Sequence, residues 1–218
     1  MTRLVTVAHG TRSAEGNAVA RALTGAAGTR LGMPWVASYV ELCDPSYSSV
    51  MASGVPSVVV PLLLSTGHHV RHDLGGGRAL GPDPLLAVAQ VARLVSAGAE
   101  PGQPVVMVAA GSTEPLATRD QMLAAAYLSE QWGGPVRLAT LSGVGRRPYD
   151  VVTPDDVVSP YLLAPGHFAD RCRAESSAAA VVADVIGAHP AVADLVVSRV
   201  DDALAGRRSA RRCACRAL

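Results

Sequence analysis

The sequence predicts an α/β fold built from two similar parallel-sheet units, and three observations predict it. Short apolar runs alternate with stretches of helical spacing, which is the order of strand, helix, strand. Val58–Leu64 is continuously apolar, as a strand buried on both faces of a parallel sheet must be. Two phrases also recur in the same order half a chain apart, the mark of an internal duplication.

Leu4–Ala8 reads as the first strand, ending at His9-Gly10-Thr11-Arg12, and the Ala-rich stretch Ala14–Leu31 as the helix after it. Trp35–Val40 is expected as a second strand, Pro45–Ala52 as a short helix and Val58–Leu64 as a third strand. Gly75 to Pro84 reads as a loop and Gly98 to Pro104 as a linker. The order restarts at Val105–Ala109, a strand, followed by the loop Gly111-Ser112-Thr113 and a helix over Glu114–Gln131. A final helix is expected over Ala174–Ile186, before a basic tail. The expected units are residues 1–100, carrying the chemistry, and 101–206, a degenerate repeat, with 207–218 as a disordered tail.

The repeat can be laid over itself. Val7-Ala8-His9-Gly10-Thr11 matches Val108-Ala109-Ala110-Gly111-Ser112, and Pro61 to His68 matches Pro160 to His167. Ligand sites of parallel α/β sheets lie at the carboxyl ends of strands. In the first unit those ends carry His9, Glu41 and His69; in the second the same places hold Ala110, approximately Ser142, and Phe168. One unit reads as chemical and the other as structural.

Composition narrows the function. Of 218 residues 49% are hydrophobic and 17% charged, and the net charge of +1 offers no basic face for nucleic acid. There is no lysine, which excludes Schiff-base and P-loop lysine chemistry. Four cysteines, Cys43, Cys172, Cys213 and Cys215, are too few and too uneven for a secreted disulfide scaffold, and the Cys-x-Cys of the tail is too little for an iron–sulfur cluster. With no signal-like or membrane-spanning run, the expected setting is the cytoplasm, with no membrane partner.

Two imidazoles and a carboxylate at strand ends suit a divalent ion such as Fe²⁺, Co²⁺ or Ni²⁺, and also proton transfer near neutral pH. Each histidine alone reads as well as a strand cap or loop staple, but loop staples would be needed in both units, and the second unit lacks them. Within Gly67-His68-His69-Val70-Arg71-His72-Asp73, His68 has a counterpart in His167 and reads as structural. His72 is either a surface residue or a second ligand, and Asp73 either orients a histidine or caps a helix.

These residues resemble a known family. His9-Gly-Thr-Arg12 after an apolar strand, Glu41-Leu-Cys-Asp-Pro45, and Pro61 to Asp73 with its Gly-His-His-Val-Arg core closely resemble the sirohydrochlorin chelatases, the class II cobalto- and ferrochelatases. The resemblance implies a two-domain chelatase fold with the tetrapyrrole in the cleft between the domains and no organic cofactor. It implies a lyase-type enzyme of sirohaem or cobalamin biosynthesis whose partners are the tetrapyrrole and the metal, the protein being a monomer or homodimer. It makes His9 and His69 the metal-binding and deprotonating residues, with Glu41 delivering metal or accepting a proton. His68 and His72 depart from many members and leave the metal preference open.

Metal insertion strips two pyrrolic protons from the macrocycle while the metal sheds water, so the site needs weak metal ligands beside a proton acceptor. Imidazole is both, and a histidine pair releases a metal that a closed four-ligand site would keep. Arg12 and Arg71 are the candidates to grip the substrate's carboxylates, with the backbone amides of Gly10, Thr11 and Thr66 assisting. A metal or tetrapyrrole carrier would use the same residues without turnover. A histidine phosphatase lacks the arginine that should precede its histidine, Ala8 standing there instead.

Overall fold

The computed structural model describes residues 1–66 and 78–214, with side chains through Gly206. His68, His69, Arg71, His72 and Asp73 therefore lie outside the described residues. The elements are β1 (Arg3–Ala8), α1 (Ala14–Leu31), β2 (Trp35–Tyr39), α2 (Tyr47–Ala52), β3 (Ser57–Pro61), α3 (Pro84–Ser96), β4 (Val105–Ala109), α4 (Pro115–Trp132), β5 (Val136–Thr140), α5 (Pro148–Val151), β6 (Val157–Tyr161), α6 (His167–Glu175), β7 (Val181–Val182) and α7 (Pro190–Ala214). They form two parallel sheets flanked by helices, of order β2-β1-β3 and β5-β4-β6-β7. No helix among the described residues is long and apolar enough to cross a membrane.

The duplication is geometric as well as textual. Leu4 stands opposite Val58 across β1 and β3, and Val105 opposite Val157 across β4 and β6. The first helix of each unit, α1 and α4, ends in a left-handed glycine, Gly32 at φ 61° and Gly133 at φ 73°, a backbone that carries the chain out of a helix without a Cβ clash. The central strands β1 and β4 are buried over Leu4–Val7 and all of Val105–Ala109, and the one polar residue among them, Thr6, meets the Thr24 hydroxyl.

The covering helices exchange partners between units. α3, the last helix of the first half, packs on α4 and β6 of the second sheet, whereas α7, at the end of the chain, packs on α1 and β3 of the first. Buried residues of both sheets, Leu4, Val58 and Met107 among them, consequently share one core with Leu86, Leu94, Leu195 and Val196. The Arg199 guanidinium, 6% exposed on α7, is held there by Asp83 at 3.0 Å and the Leu80 carbonyl at 2.9 Å. Asp83 also accepts the Leu85 N–H at 3.0 Å and so caps α3.

Two expected elements differ. The helix expected over Ala174–Ile186 is instead the end of α6, which stops at Glu175, followed by the edge strand β7. Val181 and Val182 pair with Val157 and Val158, and two β-branched residues beside a waiting strand edge gain more there than in a helix. The loop expected through Pro84 ends at Asp83, because that aspartate caps α3 and Pro84 fills its first position.

Candidate active site

The end of β1 is shaped to present His9. The Ala8 and His9 carbonyls accept the N–H groups of Val40 and Glu41 at 2.9 and 3.0 Å, carrying the ladder one residue beyond the strand. Gly10 then turns the chain at φ 96°, packed so closely on the Glu41 carbonyl that any Cβ would overlap it. The second unit repeats the turn with Gly111 at φ 88° against the Ser142 carbonyl, which places Ser142 as the counterpart of Glu41. The scaffold is the same in both units, and only the side chains delivered by it differ.

The loop after Gly10 is fixed by Asn17, a residue the sequence reading gave no role in the site. Its Oδ1 accepts the Thr11 N–H at 3.1 Å and its Nδ2 donates to the Thr11 carbonyl at 2.7 Å. Thr11 Oγ1 accepts the Ser13 N–H, and Ser13 Oγ caps α1 through the Gly16 N–H. Asn17 is 8% exposed and its own carbonyl accepts from the Tyr39 hydroxyl at 3.2 Å. An Asn one turn into a helix that bonds a preceding loop is a local pattern that could have been read from the sequence.

Between the units runs a cleft of two chambers, each built from the first-strand loop of one unit and the third-strand loop of the other. One, about 370 Å³, has His9, Gly10, Thr11 and Asn17 on one wall and Leu162 to Phe168 on the other. The second, about 380 Å³, sets Ala109, Ala110, Gly111 and Gln121 against Leu62 to Ser65. His9, Leu62, Leu63, Leu162, Leu163 and Phe168 line both, so the chambers are joined at His9. The walls are mainly apolar, and aliphatic side chains meet from both sides.

Of the predicted site residues, His9, Gly10 and Thr11 line the cleft. Glu41 and Arg12 are exposed and are not among the lining residues. His69 and Arg71 lie outside the described residues. Two amides expected to serve the substrate are already engaged: the Thr11 N–H by Asn17, and the Thr66 N–H by Asp120 Oδ2 at 2.7 Å. A buried loop must satisfy its own donors, and these loops do so with side chains. Among the described residues no three His, Cys, Asp or Glu side chains stand close enough together to hold a metal.

Asp120 belongs to α4, in the other unit, and a second bond crosses beside it, from the Tyr161 hydroxyl to the Leu64 carbonyl at 3.0 Å. Burial pushes the Tyr161 phenol far above its ordinary value, and the negative charges of Asp120 and Asp83 add to the rise, so the hydroxyl stays a donor. The second unit thus holds Leu64 and Thr66, the residues leading into the Gly-His-His stretch.

Comparison with known proteins agrees with this geometry. Residues 3–97 match the CbiX family model. No curated protein matches the chain in sequence. Among solved structures, SirB from Bacillus subtilis, described with Fe³⁺, superposes with a TM-score of 0.78 at 23% identity, over 95% of this chain and 97% of that one. CbiX, described as the terminal enzyme of siroheme biosynthesis in denitrifying bacteria, gives 0.65 at 17% identity, over 92% and 99%. DR2241 from Deinococcus radiodurans, a multi-domain protein with structural similarity to chelatases, gives 0.68 at 20% identity over 92% of this chain but 55% of its own. The chain is thus similar to the CbiX family over residues 3–97 and shares the fold of the SirB and CbiX structures over nearly its whole length.

Proposed function

We propose that this protein inserts a divalent metal ion into sirohydrochlorin. The observation that supports this most is His9 at the carboxyl end of β1, where the two chambers of an apolar inter-unit cleft meet. A flat macrocycle suits aliphatic walls on both faces, and an imidazole at its centre can carry the metal and then take a pyrrolic proton. His69 is the second ligand in this reading, and Glu41, exposed near the turn that presents His9, delivers the metal or accepts the second proton. Gly10 and Thr11 contact the substrate, while Arg12 and Arg71 grip its carboxylates from the rim.

Iron is the metal we assign, giving sirohaem, with cobalt on a corrinoid route as the alternative. Imidazole and carboxylate accept both, and the ligand set does not separate them. An anaerobic absorbance assay with sirohydrochlorin and Fe²⁺, Co²⁺ or Ni²⁺ tests the reading. Multiple turnovers above the spontaneous rate are expected, fastest with Fe²⁺. Stoichiometric binding of metal or tetrapyrrole without acceleration would replace the enzyme with a carrier.

A further inference from the structure

The second chamber holds a polar side chain that the reaction as described does not use. Gln121, on α4, is 4% exposed and lines the chamber with Ala110, Leu64, Tyr161 and Phe168. Among the described residues its carboxamide makes no hydrogen bond. Gln90, on α3, differs in having a protein partner: its Nε2 donates to Ser159 Oγ at 2.8 Å, although its Oε1 has none. An amide that faces a cleft and is bonded to nothing in the protein is free to bond whatever enters the cleft.

The fold itself does not require an amide there. The offset that relates His9 to Ala110, Gly10 to Gly111 and Gly32 to Gly133 relates Gln121 to Ala20, which lines the first chamber at the same helical position. Among the described residues lining the second chamber there is no Arg, Asp or Glu. That described lining offers a substrate carboxylate no cation in exchange for its hydration and suits the uncharged ring better.

We infer that Gln121 is a specificity-determining residue of the same site, its Oε1 accepting a ring N–H of the metal-free tetrapyrrole. This rests on the chelatase reading above. Because metallation removes the ring N–H groups, Gln121 holds the substrate and releases the product.

The test compares wild type with the isosteric Gln121→Met. Sirohydrochlorin without metal, and separately the metallated product, are titrated against each protein by absorbance, and Tm is measured without ligand. Affinity of the variant for the metal-free ring should fall about 3- to 10-fold, the worth of one net hydrogen bond. Affinity for the metallated ring should be unchanged and Tm should not drop, since an unbonded amide has been replaced by an apolar group. Unchanged affinity for the metal-free ring, an equal loss for both rings, or a fall in Tm together with both affinities would overturn the role assigned to Gln121 while leaving the chelatase reading intact. Failure of wild type to bind the metal-free ring at all would overturn both.

Discussion

Asp120 and Thr66 are 54 residues apart in sequence, in different units, and joined by a 2.7 Å hydrogen bond from the Thr66 N–H to the Asp120 carboxylate. The second unit, with Ala110 and Phe168 where the first has His9 and His69, holds the residue from which the first unit's chain runs on toward His69. A bond to a charged acceptor is worth about 1.5–3 kcal/mol. If Thr66 must stay where it is for catalysis, Asp120→Ala should lower kcat/KM for metallation about 10- to 100-fold. Asp120→Asn keeps an acceptor oxygen and should recover most of that loss, which steady-state kinetics would show.

Asn17 satisfies both backbone groups of Thr11 at once. Removing it leaves a partly buried N–H and carbonyl without partners, so Asn17→Ala should cost about 1–3 kcal/mol of stability, measured by denaturant unfolding. Asn17→Asp keeps the acceptor for the N–H but turns the donor to the carbonyl into a repelling oxygen, and it should be no better than alanine.

Burial in the second unit pushes the Cys172 thiol up to about 11. At pH 8 almost none is thiolate, and the side chain is fully covered. Alkylation followed by mass spectrometry should leave Cys172 unmodified in the native protein and label it fully in denaturant.

Asp156 is 1% exposed, and burial acts to raise its carboxyl. The Arg137 guanidinium and two bonds from Thr153, its N–H at 2.7 Å and its hydroxyl at 2.8 Å, outweigh burial and hold the group below the ordinary carboxylate value. A folded value below the unfolded one means the stabilisation is complete above about pH 4 and is lost as pH falls through the folded value. Asp156→Asn should therefore lower Tm by several degrees at pH 7, and the gap from wild type should close as the pH is taken below 4.

The central strands, the first helix of each unit and the doubled phrases were legible in the sequence because they rest on local pattern. Val105–Ala109 cannot be anything but a buried strand, and Gly10 and Gly111 announce the same turn. His9 was legible for the same reason, since a strand end fixes where the next residue points. What the sequence hid is long-range. Nothing near Pro84 or Pro190 says that α3 will cover the second sheet and α7 the first, and α7 went unrecognised as a helix, its basic end from Arg207 being expected as a disordered tail although the helix runs to Ala214. Ala174–Ile186 looked helical on alanine content, but the edge of β6 offered Val181 and Val182 a partner that local propensity does not weigh. Asp120 and Tyr161 escaped notice because each bonds across the cleft.

The chelatase reading stands most directly on His9. Anaerobic metallation of sirohydrochlorin with Fe²⁺ should proceed well above the spontaneous rate with wild type and fall to that rate with His9→Ala, and likewise with His69→Ala, with Tm unchanged in each. Full activity in a folded His9→Ala protein would contradict the account.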